Sequence, residues 1–189
     1  METTLLTTVV AGSSALLGVA LTSIVNLRTL RQNQYFQFDL EERKRYHELA
    51  EKRREEALQR LAAAHKALSF IKREFSPTNL DITWRARMSD SEYDQKYLSL
   101  CLEIDNLKVF AALYEIDLVE DVEYVYKEMN AFWGNFKEVL RMASLGKPVD
   151  ANTLFLQKSH EAALLIGKKT TFIQSRVSDR ASKYQERQF

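Results

Sequence analysis

The sequence is poor in the residues that interrupt helices. Only 5 glycines and 2 prolines occur among its 189 residues, and Pro77 and Pro148 both lie between segments with helical apolar periodicity. Glycine and proline are the strongest local breakers of regular structure, so their scarcity predicts a few long helices. No segment has the alternating apolar pattern of a strand. We therefore expect an all-α fold.

Cysteine and histidine are almost absent as well. Cys101 is the only cysteine, so the chain cannot form an internal disulfide, as is typical of a reducing compartment. His47, His65 and His160 stand far apart and match no metal-binding spacing. The chain has no phosphate-binding loop, nucleophile elbow or dinucleotide-binding turn. We predict no catalytic residue, no metal site and no cofactor, and hence a protein that is not an enzyme.

Charge is missing from the segment Leu5–Leu27, which is mostly apolar. About 20 such residues at ~1.5 Å each are enough to cross the hydrocarbon core of a bilayer. A cleaved signal peptide is the alternative, but it would have a basic start and an apolar core of about 7–15 residues. Here no Lys or Arg precedes the run. The sequence favours a retained transmembrane anchor at residues 1–27, with contact to the lipid through residues 5–27.

The flanking charges predict how this anchor is oriented. Arg28 and Arg31 follow the run, and Lys and Arg favour the cytoplasmic side. We expect the N-terminus outside and residues 28–189 in the cytoplasm, with the bacterial inner membrane as the favoured location. Small residues on one face of the span let helices approach closely in lipid. The candidate residues for helix packing there are Ala11, Ser14, Ala15, Gly18 and Thr22.

Beyond the anchor, the pattern predicts a charged helical stalk at residues 28–56 and a helical bundle at 57–189. Residues 76–88 lack helical periodicity and are expected to form a non-helical connector. Ser89 and Glu92 have the spacing of a capping box, Asp117 and Glu120 that of a second cap, and Gly146 that of a helix C-cap. Short connections favour antiparallel neighbours, so an antiparallel bundle of three to four helices is predicted.

One predicted helix of the bundle carries an unusually wide apolar stripe. The seam from Tyr93 to Tyr114 is widened by Leu98, Leu102, Val109, Phe110 and Leu113. This helix and the next one also carry a dense set of aromatic residues, most of which should be core. If only three helices close the bundle, some would line a partner-binding groove. The candidate groove residues are Tyr93, Tyr97, Tyr126, Phe132, Trp133 and Phe136.

The formal net charge of +1 hides an uneven distribution along the chain. Residues 28–75 carry +4, residues 76–150 carry −6, and residues 151–189 carry +4. Basic and acidic helices that pack together would satisfy one another within the bundle. The basic residues are interleaved with acidic ones, so no nucleic acid partner is expected.

Two functions fit these features. The first is a single-pass scaffold or adaptor whose cytoplasmic helical domain binds other proteins, or further copies of itself, at a membrane. The alternative is an oligomeric effector whose span perturbs the bilayer and whose cytoplasmic domain controls it. The layout resembles that of small bacterial inner-membrane proteins in general, and no motif points to a particular family.

Overall fold

A computed structural model describes the backbone of residues 2–186 and the side chains of residues 22–186. Within that part of the chain, all regular structure is helical, which confirms the predicted all-α class. The five α-helices are α1 (Glu2–Glu74), α2 (Pro77–Arg85), α3 (Asp90–Tyr114), α4 (Val119–Ser144) and α5 (Leu154–Glu186). A 3₁₀ turn at Ile116–Leu118 connects α3 to α4.

The chain divides into two compact units, Met1–Arg53 and Arg54–Phe189. The first, unit 1, consists of the N-terminal part of α1. The second, unit 2, consists of the rest of α1 together with α2 to α5. The division falls close to the predicted boundary between the stalk at 28–56 and the bundle at 57–189.

Unit 2 is an antiparallel bundle of four long helices, the C-terminal part of α1 with α3, α4 and α5. Polar contacts join each neighbouring pair: Glu74–Lys96 (α1–α3), Asp94–Lys137 (α3–α4), Asp121–Lys169 (α4–α5) and Ser69–Gln174 (α1–α5). In this arrangement α3 and α5 occupy diagonal corners, so their outer surfaces point in opposite directions.

The core takes side chains from all four helices. Its largest fully buried side chains are Leu68, Ile71, Ile104, Leu107, Leu118, Met129, Phe136, Ile166 and Ile173. The pair α4 and α5 packs most extensively, and α5 contributes small buried residues to that contact: Ser159, Ala162, Ala163 and Thr170. The Thr170 hydroxyl donates to the carbonyl of Ile166 at 2.7 Å, so its burial leaves no unpaired donor.

Two of the predicted helix ends are confirmed. The Ser89 hydroxyl accepts from the backbone N–H of Glu92, and the Glu92 carboxylate accepts from the Ser89 N–H at 3.0 Å, which completes the capping box. Gly146 has a φ of +67° just after α4, a conformation that glycine adopts without strain. Its N–H and that of Lys147 donate to the carbonyls of Ala143 and Met142, as in a Schellman motif.

The prediction of a non-helical connector at residues 76–88 is wrong, because α2 lies within it. Pro77 ends α1, but it also stands at the first position of α2, where its missing N–H costs nothing. The Ser76 hydroxyl caps this helix by accepting from the N–H of Asn79 at 3.1 Å. The short helix buries Leu80 and Thr83. Too few turns are present for an apolar period to show in the sequence.

The predicted cap at Asp117 is also wrong. Asp117 lies in the 3₁₀ turn, and the N-cap position of α4 is Leu118, whose side chain makes no capping hydrogen bond. The Asp117 carboxylate instead pairs with Arg176 and Arg180 on α5. A tertiary ion pair thus replaces the local interaction that the spacing suggested.

Candidate interaction surfaces

The predicted aromatic groove is for the most part the interior of the bundle. Four of its six residues, Tyr93, Tyr97, Phe132 and Phe136, are buried. They form a ring cluster with centroid distances of 5.4 Å for Tyr93–Phe136 and 5.2 Å for Phe75–Phe132. The groove depended on a bundle of three helices. The C-terminal part of α1 supplies a fourth helix, and Phe75 at its end covers these rings, so the groove prediction is wrong for them.

The other two predicted groove residues, Tyr126 and Trp133, are half-buried at the edge of this cluster. Trp133 stacks on Tyr97 at 5.0 Å and donates its indole N–H to Asp94 at 3.0 Å. The Lys108 ammonium lies 3.5 Å from the ring centroid of Tyr126. Both rings are therefore engaged within the molecule, and each is only partly exposed.

Burial has a measurable consequence for two of these tyrosines. Loss of solvation raises the pKa of Tyr93 and of Tyr97 well above the usual value of about 10. A raised pKa in the folded state means that these groups favour folding below about pH 10 and that this contribution is lost as the pH rises. We expect the protein to lose stability above about pH 10.

A spectrophotometric titration checks this prediction. The phenolate absorbance of the folded wild-type protein is compared with that of Tyr93→Phe across the alkaline range. The two titration curves should coincide until unfolding begins. If the folded wild type showed one more phenol group than Tyr93→Phe that ionises near pH ~10, the raised pKa of Tyr93 would be contradicted.

The outer side of α3 carries an exposed apolar stripe, which we call the α3 face: Leu98, Leu102, Asp105, Val109 and Leu113. Its four apolar residues are between 56% and 69% exposed. The sequence suggested that they widen the buried seam. That interpretation is wrong, because the buried seam of α3 consists of Tyr93, Tyr97, Leu100, Ile104, Leu107 and Ala111. The α3 face lies on the side of the helix opposite this seam and has no covering element in unit 2.

The outer side of α5 carries a second exposed stripe, which we call the α5 face: Leu164, Lys168 and Phe172. Leu164 is 65% exposed and Phe172 is 49% exposed. A cleft of about 550 Å³ lies on the α1 side of this face, where Lys72 and Arg73 are among the lining residues. A second cleft of about 430 Å³ lies on its other side, against Tyr124 and Lys169. The α5 face thus consists of two apolar side chains and one lysine, with further basic side chains in the clefts beside it.

Acidic and basic groups meet at one end of unit 2. Glu115, which is buried, pairs with Arg180, and Asp117 pairs with both Arg180 and Arg176. With Lys169 bound to Asp121 at 2.8 Å, the basic α5 is joined to the acidic start of α4 at several points. These ion pairs neutralise part of the acidic excess of residues 76–150 and part of the basic excess of residues 151–189. A cavity of about 460 Å³ borders this cluster.

Unit 1 exposes most of the large apolar side chains that the structure describes in it. They are between 41% and 78% exposed and comprise Ile24, Val25, Leu27, Leu30, Tyr35, Phe36, Phe38, Leu40, Tyr46 and Leu49. An isolated helix cannot bury an apolar surface on itself. These side chains have no cover within unit 1.

Most residues of the predicted anchor, residues 1–27, are not among those whose side chains the structure describes. Of its predicted packing residues, Ala11, Ser14, Ala15 and Gly18 fall outside them, and Thr22 is exposed. No helix in the described part of the chain is both long enough and apolar enough to cross a membrane. Among the described side chains, no group of three or more His, Cys, Asp and Glu residues is placed to hold a metal ion.

In comparisons with protein-family models, curated proteins and solved structures, nothing matches the chain. The fold itself defines a general class, the antiparallel four-helix bundles, which carry many unrelated functions. The surfaces of this chain are therefore the guide to its function.

Proposed function

We propose that the protein is a membrane-anchored helical scaffold whose bundle binds other proteins, or further copies of itself, at the cytoplasmic face of a membrane. The observation that carries this proposal is the uncharged, mostly apolar sequence Leu5–Leu27, whose described end exposes Ile24, Val25 and Leu27. A helix of this kind needs lipid or a partner to cover it. Arg28 and Arg31 favour a cytoplasmic position for everything that follows.

The bundle is the recognition element of this proposal. Its core is closed by four helices, so binding must use the outer surface. Contiguous apolar patches are uncommon on monomeric soluble proteins and often mark interaction sites. The α3 face has four exposed apolar residues on unit 2, and the α5 face adds Leu164 and Phe172 on either side of Lys168.

The small-residue face of the span favours a second candidate function, an oligomeric effector that perturbs the membrane. Ala11, Ser14, Ala15, Gly18 and Thr22 would allow close packing of several spans. Replacement of residues 5–27 by an inert apolar span separates the two functions. A scaffold keeps partner binding after this exchange, whereas an effector loses its toxicity on overexpression.

Membrane fractionation of the full-length chain tests the anchor. We expect the wild type to stay in the membrane pellet after alkaline carbonate extraction. The variant Leu16→Arg, Leu17→Arg should be released, because each arginine at the centre of a span costs about 2.5–3.5 kcal/mol on insertion scales. As a matched control, Gln32→Arg, Gln34→Arg adds the same charge beyond the span and should remain in the pellet.

Recovery of the wild type in the soluble fraction would overturn the anchor. A protease added to intact spheroplasts tests the orientation in the same preparation. The bundle should resist cleavage there and become accessible when the cells are lysed. Cleavage within residues 54–186 in intact spheroplasts would contradict a cytoplasmic bundle.

A further inference from the structure

The α3 face and the α5 face each place one charged side chain between exposed apolar side chains, and the two charges are opposite. In the α3 face, the exposed Asp105 lies between Leu102 and Val109. In the α5 face, the exposed Lys168 lies between Leu164 and Phe172. Neither charge has an ion-pair partner among the described residues. Each face therefore presents one unpaired charge within an apolar stripe.

The two helices differ in charge beyond these two residues. α3 carries five acidic and two basic residues, and both of its lysines already pair with acids, Lys96 with Glu74 and Lys108 with Glu123. α5 carries six basic and three acidic residues, but its Lys169, Arg176 and Arg180 already pair with Asp121, Asp117 and Glu115. The unpaired charge is therefore acidic on α3 and balanced on α5, so the complementarity of the two faces depends on Asp105 and Lys168 themselves.

We propose that copies of this chain bind one another by contact of the α3 face of one molecule with the α5 face of the next, with Asp105 paired to Lys168. The four apolar residues of the α3 face would then cover Leu164 and Phe172. Opposite charges at the centre of the contact fix its register, and the apolar residues around them exclude water. This inference rests on the self-association part of the proposed function and names the surfaces that carry it.

The same charges exclude a symmetric contact through either face. Asp105 lies at the middle of the α3 face, so a two-fold contact of α3 with α3 brings two aspartates together in an apolar setting. A two-fold contact of α5 with α5 does the same for two copies of Lys168. Like charges that face each other across an interface repel and disfavour the contact. Only the contact of unlike faces pairs them.

The position of the two faces determines the form of the assembly. Because α3 and α5 occupy diagonal corners of the bundle, each molecule can bind one neighbour on each side. Contacts between two different patches are heterologous, and they build rings or open chains. Anchoring in a membrane would confine such an assembly to the plane of the bilayer and raise the local concentration of its members.

Reciprocal charge exchange in the full-length chain, purified in detergent micelles, tests this contact. The mass of the wild type, followed by analytical ultracentrifugation, should increase with protein concentration beyond a dimer. Asp105→Lys alone and Lys168→Asp alone should each weaken association at least ~10-fold, because each places like charges together. The double variant Asp105→Lys, Lys168→Asp should regain association, and so should an equimolar mixture of the two single variants.

A matched control changes an exposed lysine away from both faces. Lys127→Asp on α4 alters the net charge as Lys168→Asp does and should associate like the wild type. Circular dichroism of each variant reports whether the helices remain intact. A photo-crosslinker placed at Leu102 should join the α5 segment of a second molecule.

Three results would overturn the proposal. They are a wild type that stays monomeric at all concentrations, association that neither single exchange weakens, and crosslinks from Leu102 that lead to α3 of the second molecule. The carbonate extraction that tests the anchor does not depend on Asp105 or Lys168. Failure of the contact and failure of the membrane anchor can therefore be told apart.

Discussion

Replacement of Phe136 by alanine is expected to lower the free energy of unfolding by about 3–5 kcal/mol, because it removes a large ring from the centre of the bundle. Phe136 is 0% exposed on α4. Its ring meets those of Tyr93 at 5.4 Å and Phe132 at 5.9 Å, both in the aromatic cluster between helices. Truncation removes the transfer free energy of the ring and leaves a cavity that these rigid neighbours cannot fill.

Urea unfolding of the full chain in mild detergent measures this loss. Trp84 and Trp133 both lie in unit 2 and report on it by fluorescence. The matched control is Phe172→Ala, which removes the same side chain from an exposed site and should cost less than about 1 kcal/mol, measured at a concentration too low for association. Equal losses for the two variants would show that Phe136 does not lie in the core of unit 2.

The periodicity of the sequence was sufficient to predict most helices of the bundle. The buried seam of α3 follows the spacing of four and three residues from Tyr93 to Ala111, and the seam of α4 follows it from Val122 to Val139. Local chemistry also located the helix ends, because the capping box at Ser89 and the glycine at Gly146 act within one turn of the chain. Such interactions depend only on near neighbours in the sequence.

The predictions of a binding groove and of a wide buried stripe on α3 were wrong for one common reason. A single helix shows which side chains share a stripe, but not which stripe a partner helix will cover. The sequence therefore left open whether Tyr93 and Phe136 belong to the core or to a groove, and it assigned Leu102 to the buried stripe, whereas both aromatic residues are buried and Leu102 is exposed. Only the fourth helix, supplied by α1, decides between the two. A signal was present in Asp105, because a carboxylate within an apolar stripe is costly to bury and indicates an outer surface.

The ion pairs at the end of unit 2 were beyond prediction for a different reason. Asp117 and Arg180 are 63 positions apart in the chain, and only the antiparallel packing of α4 and α5 brings them together. The sequence indicated that basic and acidic segments would face each other, but the pattern of charge gives no residue pairs. Ion pairs of this kind depend on the register of the helices, which core packing sets.

Removal of Arg180 is expected to have the second largest effect on stability. Arg180 pairs with Glu115, whose side chain is only 9% exposed, and with Asp117 in the 3₁₀ turn. Loss of one partner of a buried pair costs about 3–5 kcal/mol because the other charge is left without compensation. The Arg180 side chain is 31% exposed, so solvent reduces this cost, and we expect Arg180→Met to lower the free energy of unfolding by about 2–3 kcal/mol.

The source of this loss can be tested by removing the charge that Arg180 leaves behind. In the double variant Glu115→Gln, Arg180→Met, no buried carboxylate lacks a cation, so much of the stability should return. Arg141→Met is the matched control, since Arg141 pairs with Glu138 at 2.7 Å on the surface and should contribute less than about 1 kcal/mol. If the double variant is no more stable than Arg180→Met, the arginine acts through its packing against the bundle and not through its charge. Recovery in the double variant would instead show that the buried carboxylate of Glu115 is what makes Arg180 necessary, and that the bundle does not need the ion pair itself to hold α5 in place.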